Sequence, residues 1–301
     1  MIGYLFIALA LICGVIKGYC GKKTGNSIVY ASDSMIINVC RMVLCILIGG
    51  IIVLFSGNYE TISLELNTTL PAAICGICVG AFAVSWVLSV RTGAYMLVEV
   101  FLLCGTIIPV LLCKIFFDEN IGIVQWIGIA ILIVAAYIMC TYNKSLKNSV
   151  KVKDILLLLL CAFSNGLSDF SQKYYVNTVE NGNSAFFNLL TYVFAAIFLL
   201  IFYLIFRTKE KKQYELRTPL QIIKPIIIFV VIMAICLFLN SYFKTLAAKS
   251  LDAIKIYPIN YGGSLILSML MSTIIFKEKL NARCIIGVLL AFTALVLINV
   301  L

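Results

Sequence analysis

The sequence predicts an all-α integral membrane protein of ten transmembrane helices, arranged as two inverted five-helix repeats. Three observations carry that expectation. The chain has 301 residues, of which 63% are hydrophobic and only 12% charged. A soluble domain carries about a quarter charged residues and about half apolar ones, so the bilayer must solvate most of this surface. Second, the apolar residues fall into runs of about 20, the length a helix needs to cross the hydrocarbon core. Third, Phe117-Asp118-Glu119-Asn120-Ile121 with Gly128 is echoed 159 residues later by Phe276-Lys277-Glu278-Lys279-Leu280 with Gly287. Each copy follows an apolar run that holds a proline, Pro109 or Pro258.

The ten runs lie at approximately 2–20, 34–55, 70–90, 93–117, 121–142, 153–177, 184–206, 221–247, 251–275 and 279–300. The first has no basic segment ahead of it and no A-x-A-like site, so it reads as a span rather than a cleaved signal. Short polar turns separate the runs, the longest at 56–69 and 207–220. A Lys-rich stretch divides the chain into a first repeat at 1–142, a connecting loop at 143–152 and a second repeat at 153–301. Five spans is an odd number, so the second repeat enters the membrane from the opposite side. Lys22, Lys23, Arg91, Lys144, Lys147, Lys151, Lys153, Arg207, Lys209, Lys211, Lys212, Arg217, Lys277, Lys279 and Arg283 all fall in odd-numbered loops, and Lys249 is the exception. By the positive-inside rule those loops are cytoplasmic and both termini lie outside. Glu119 and Glu278 each stand at a turn just ahead of a helix, where a carboxylate caps free N–H groups.

The net charge of +10 sits mostly between spans. It is a topology signal and not a nucleic-acid surface. There are 12 Cys and no His. The cysteines are scattered through apolar runs, where a thiol packs as a small hydrophobe, and Cys75 and Cys78 form the one close pair. No metal and no cofactor are expected from that pattern. Without His, any proton coupling runs through a carboxylate. No nucleophile with a nearby base stands in a loop, so an enzyme is not expected.

The Pro-interrupted span, the F-x-E-x-[IL] turn and the Gly-containing final span, present twice, resemble the EamA-type members of the drug/metabolite transporter superfamily. Arg41 in the second span adds to the resemblance, as does Asn240-Ser241-Tyr242-Phe243-Lys244-Thr245-Leu246-Ala247 before the ninth. The resemblance covers essentially the whole chain and implies the same ten-span fold and a secondary transporter working by alternating access. It implies cytoplasmic termini, against the loop charges, and orientation stays open between the two. Relatives move amino acids, nucleotide sugars, sugar phosphates, choline and drugs, so it leaves the substrate open.

Ionisable groups within spans are functional candidates because burying a charge in the bilayer costs a few kcal/mol or more. Lys17, Arg41 and Glu99 lie toward the odd-loop side, whereas Asp169, Lys173, Lys244 and Lys255 lie toward the even-loop side. We expect two gates, Lys17 or Arg41 with Glu99 at one mouth and Asp169 with Lys244 or Lys255 at the other. Snorkelling to the headgroups is the competing reading for Lys17 and Lys173, and an i,i+4 pair with Asp169 is a second one for Lys173. The ninth span, Ile256-Tyr257-Pro258-Ile259-Asn260-Tyr261-Gly262-Gly263-Ser264, is the expected substrate segment. Its proline breaks the ladder, its glycines admit close approach, and Tyr257 and Asn260 offer polar contacts. Helix–helix packing is the alternative. Asn240, Tyr242, Asn38, Asn165, Asn188 and Trp86 complete the candidate lining.

The expected cargo is a small polar metabolite, with an amino acid or another carboxylate- or phosphate-bearing solute favoured by the excess of basic groups. Two Trp are too few for a quaternary-ammonium cage. Alternatives are a lipid-headgroup flippase and a structural or partner-binding membrane protein. The expected partners are the solute and the lipid bilayer, in a bacterial cell (inner) membrane, with the chain a monomer or a homodimer.

Overall fold

A computed structural model describes residues 2–25, 27–56, 62, 64–91, 95–142, 152–211, 217–275 and 282–300. The second copy of the repeated turn, 276–280 with Glu278, lies outside the described residues, as does most of the 143–152 connector.

The chain is all helical among these residues: α1 Ile2–Gly25, α2 Ala31–Ser56, α3 Leu66–Arg91, α4 Tyr95–Gly105, α5 Ile107–Phe117, α6 Ile123–Tyr142, α7 Val152–Thr178, α8 Ser184–Lys211, α9 Pro219–Ile223, α10 Ile227–Ala248, α11 Ala253–Ile274 and α12 Ala282–Val300. Seven segments among the described residues are long and apolar enough to cross a membrane: Ile2–Gly25, Ala31–Phe55, Leu66–Ser89, Val98–Phe117, Asp154–Thr178, Ser184–Lys211 and Pro219–Ala248. Ile123–Ala135 and Ile285–Ile298 are shorter apolar helices. The outward face carries exposed Leu5, Leu54, Phe55, Leu156, Phe163 and Leu289, a surface that lipid covers and water would not.

Two of these segments are interrupted, each for a local reason. α4 and α5 meet at Thr106 because Pro109 has no N–H for the carbonyl of Gly105, four residues earlier. The Thr106 hydroxyl and backbone N–H both turn back to the Leu103 carbonyl, at 2.7 and 3.1 Å. α9 starts on a capping box between Thr218 and Gln221, with Pro219 in its first turn, and gives way to a 3₁₀ turn at Lys224–Ile226 around Pro225. α11, in contrast, runs unbroken through Pro258. The broken helix expected in the ninth span is therefore in the fourth. Pro258 withholds its bond from Ile254, only one residue into α11, where the ladder is barely begun.

α1 packs along α10, α7 along α3, α2 along α8 and α6 along α12. Small residues permit the closest approaches. A Cβ on Gly166 of α7 would strike the Gly105 carbonyl and Ile108, and one on Gly128 of α6 would strike Ile298 and the Ala294 carbonyl of α12.

Charged side chains tie the helix ends together on two sides. On one, Glu210 of α8 accepts from the N–H groups of Ala31 and Ser32 at 3.1 and 3.4 Å, capping α2. Arg217 bridges to Asp33 at 2.6 Å and to the Ser27 carbonyl at 2.9 Å. On the other, Asp118 takes a left-handed conformation (φ 51°) that ends α5 and turns Glu119 toward α11. Glu119 Oε2 accepts from the Ala253 N–H at 2.9 Å, and Oε1 faces Lys173 Nζ at 3.5 Å. Lys173 also donates to the carbonyls of Ala248 and Leu251 at 3.0 and 2.8 Å, and Lys249 donates to the Gly182 carbonyl at 3.0 Å. Glu119 thus caps a helix, as expected, but that helix is α11 and not the adjacent α6.

Candidate functional site

The polar interior begins on α7, where Asn165, Ser168, Asp169 and Gln172 recur at i, i+3, i+4 and i+7 and so share one face. That face meets Asn240, Ser241 and Lys244 of α10 and Asn260, Tyr261, Ser264 and Ser268 of α11. With Gly14 and Lys17 of α1, Phe82 and Trp86 of α3, Glu99 of α4 and Tyr192 of α8, these residues except Asp169 line one cavity. The space open to the centre of a water-sized sphere is about 50 Å³, room for a few waters.

Asp169 is fully buried and forms the core of the site. Its Oδ1 lies 2.5 Å from Lys244 Nζ, and its Oδ2 accepts from the Tyr261 hydroxyl at 2.7 Å. Lys244 also donates to Tyr261 at 3.1 Å, closing a three-membered ring of contacts. Tyr257 donates to the Asp169 backbone carbonyl at 2.7 Å. A buried ion pair persists only when its remaining donors and acceptors are met; here Tyr261 serves both partners, and Asn165 Nδ2 approaches Asp169 Oδ2 at 3.5 Å.

A neutral chain of hydrogen bonds runs beside it. Gln172 Nε2 donates to Ser241 Oγ at 2.9 Å, Ser241 donates to Asn188 Oδ1 at 2.6 Å, and Asn188 Nδ2 donates to Thr245 Oγ1 at 3.0 Å. It joins α7, α8 and α10. Two buried oxygens facing this region, Gln172 Oε1 and Asn260 Oδ1, have no partner.

Asn260, Asn240, Asn165, Trp86, Lys17, Glu99 and Lys244 all line the cavity, and Asp169 stands directly behind Lys244. The other expected residues do not. Arg41 donates to Asn38 Oδ1 at 2.6 Å, and Asn38 donates to the Ser34 and Ala83 carbonyls, so the pair joins α2 to α3 away from the lining. The Tyr257 hydroxyl is committed to Asp169, and Tyr242 stacks on Phe238 with centroids 6.0 Å apart. Lys255 lines a separate recess with Asn120, Gly122 and Asp252 and does not reach Asp169.

Three pairings also differ from expectation. Among the described residues, neither Lys17 nor Arg41 forms an ion pair with Glu99 in this conformation; Lys17 lies over the Phe82 ring, 5.6 Å from its centroid. Lys173 pairs with Glu119 rather than Asp169. It is also buried, held by the carbonyls at the end of α10, and does not lift to the headgroups. Gln172 and the bridging role of Tyr261 were missed. The recurrence of polar residues on one face of α7 was the signal for the first, whereas nothing in sequence aims a tyrosine at a particular carboxylate.

Residues 152–300 match the model of the EamA-like transporter family. The fold over nearly the whole chain agrees with a solved structure, described only as a crystal structure of a protein, at a TM-score of 0.71. That superposition covers 99% of this chain and 97% of the other at 10% sequence identity, a likeness of fold alone. No curated protein matches the chain. The chain belongs to the EamA-like transporters of the drug/metabolite transporter superfamily and is an integral, multi-pass membrane protein.

Proposed function

We propose that the chain is a secondary active transporter that carries a small polar metabolite across the membrane by alternating access. The observation that carries this reading is a polar cavity with an ionisable cluster at each end. Asp169 lies nine residues before the end of α7 and Lys244 four before the end of α10, both toward the side where Glu119 and Lys249 tie the loops. Lys17 is eight residues from the end of α1 and Glu99 four from the start of α4, both toward the opposite side. At 1.5 Å per residue these lie roughly 6 to 14 Å in from their helix ends. Lys244 is ion-paired with Asp169 in the first cluster, whereas in the second, among the described residues, Lys17 lies over Phe82 and is not paired with Glu99, which supports a carrier closed at the first mouth.

Ten spans in two inverted repeats, at 1–142 and 153–301 on either side of the 143–152 loop, fit the helix packing. Exchanging the halves maps α1 against α10 onto α7 against α3, and it returns α2–α8 and α6–α12 to themselves. A two-fold axis in the membrane plane produces that pattern. Coupling to protons, if the carrier uses it, falls to Asp169 or Glu99, and no other cofactor enters the reading. A bacterial inner membrane is the proposed location, with the chain acting as a monomer or homodimer and having no enzymatic role.

The test is counterflow in proteoliposomes preloaded with amino acids, organic acids or sugar phosphates. Accumulation of one labelled solute, lost in Asp169→Asn, is the expected outcome; no accumulation of any class would overturn the reading. A lipid-headgroup flippase is the second reading. An apolar groove of about 540 Å³ between α4, α5, α6 and α7, lined by Phe101, Ile108, Leu159 and Phe163 among others, opens toward lipid behind the cavity-lining α4 and α7. Flipping of a fluorescent lipid without solute counterflow would favour it.

A further inference from the structure

Among the described residues, three of the buried cations have hydrogen-bonded partners, whereas Lys17, which faces the cavity, has none. Lys244 is held by Asp169 and Tyr261, and Lys173 by Glu119 and two carbonyls. Arg41 is bonded to Asn38 outside the lining. Lys17 lines the cavity with only the face of Phe82 against it among the described residues. A ring face steadies an ammonium electrostatically but accepts none of its three hydrogen bonds in good geometry. Lys17 therefore presents a cation with open donors to the cavity.

The opposite requirement is met one or two turns away. Asn260 and Gln172 are each 2% exposed, and each has an oxygen without a donor. An orphaned buried acceptor costs about 1–3 kcal/mol, and a ligand N–H or O–H would remove that cost. α1 and α11 run in the same direction, since Gly3 lies against Leu251 and Gly14 against Ser264. Lys17 is one turn beyond Gly14 and Asn260 one turn before Ser264, a separation of roughly 10 Å along the axis. The lysine side chain leans toward its own helix N-terminus and shortens that distance. A solute a few bonds long spans the remainder.

Resting on the transport reading, we propose that Lys17 is the anion subsite and that the cargo is a small carboxylate bearing N–H or O–H donors, an amino or hydroxy acid. Its carboxylate meets Lys17 and its donors meet the oxygens of Asn260 and Gln172. A phosphate monoester is the poorer fit. One uncommitted ammonium, with Glu99 on the same wall, leaves the second charge of a dianion uncompensated in a medium of low dielectric.

The test uses the full-length protein in detergent, with binding of the common amino acids and glycerate measured by calorimetry. The tightest carboxylate is then compared with its own amide and with glycerol 3-phosphate. In the wild type the amide is expected to bind at least tenfold more weakly than the acid. Lys17→Met should weaken the acid by a similar factor and leave the amide unchanged, while Lys17→Arg keeps most of the affinity. Equal binding of acid and amide, undiminished acid binding in Lys17→Met, tighter binding of glycerol 3-phosphate, or no carboxylate binding at all would each overturn the proposal. If Lys17→Met does not fold, the acid–amide difference in wild type and Lys17→Arg decides it. Counterflow separates this from the transport reading. Lys17-dependent binding without counterflow removes transport and keeps the subsite, whereas counterflow indifferent to Lys17→Met does the reverse.

Discussion

Asp169 shows how a single side chain is both costly and indispensable in an apolar interior. Removing it leaves Lys244 as a buried charge without a partner, so Asp169→Ala should lose about 3–5 kcal/mol of stability in denaturant titrations in detergent. The double replacement Asp169→Leu with Lys244→Met should recover most of that loss, because the two desolvation penalties vanish together. Tyr261→Phe, which deletes hydrogen bonds to both charged partners, should cost about 1.5–3 kcal/mol. Glu119, in the loop between α5 and α6, has its pKa raised, mainly by burial, with Lys173 and the Ala253 N–H opposing. Its protonation, and the loss of its pairing with Lys173, therefore occur at milder acidity than for an exposed glutamate. The protection factors of amides 249–253 should fall on acidification in the wild type, whereas in Glu119→Gln they should stay constant; identical pH profiles would refute that assignment. At this scale the sequence was informative about short side chains and poor about long ones. Asp169, Asn240 and Asn260 project only a few ångströms from their helices, so periodicity locates them. Lys17, Lys173 and Arg41 reach over a turn or more, and which of several nearby acceptors they find depends on neighbours that sequence does not place.

At the scale of the helix, apolar run length located nearly every described segment within a few residues, because the bilayer imposes one length on all of them. The breaks were less legible. Pro109 and Pro258 look alike in the sequence, yet only the first divides its helix. The difference lies in Thr106, whose hydroxyl offers the chain another bond, and in how early Pro258 falls in α11. Pro109→Ala restores the missing donor to Gly105 and should fuse α4 and α5 into one stiffer span. We expect slower counterflow with solute affinity unchanged; unchanged rates would mean that the break is passive. Gly166→Val, placed against the Gly105 carbonyl, should cost about 1–3 kcal/mol by overpacking, seen as a lower melting temperature.

At the scale of the whole molecule, the proposed duplication would account for a packing pattern that survives exchange of the halves. The 159-residue register said that the halves are alike, but not how their helices interleave. That α1 lies on α10 rather than on a neighbour in its own half follows from surface complementarity along 20-odd residues, which no spacing rule captures. A prediction belongs here. In a variant with the native cysteines replaced, Gly182→Cys and Lys249→Cys joined by a bis-methanethiosulfonate cross-linker that replaces the lysine's reach should hold one mouth shut. Counterflow should stop on cross-linking and return on reduction, and transport through the cross-linked protein would contradict alternating access.

The capping contacts at the two faces are reciprocal. Glu119, from the first half, completes the start of α11 in the second, and Glu210, from the second half, completes the start of α2 in the first. During synthesis, then, the Ala31 and Ser32 N–H groups of α2 wait until the ribosome has reached Glu210 of α8, 179 residues beyond Ala31. A nascent chain stopped at the connector would be an unfinished structure rather than a small working one, a natural substrate for membrane proteolysis. Two fragments divided at that connector and made together should each supply what the other lacks.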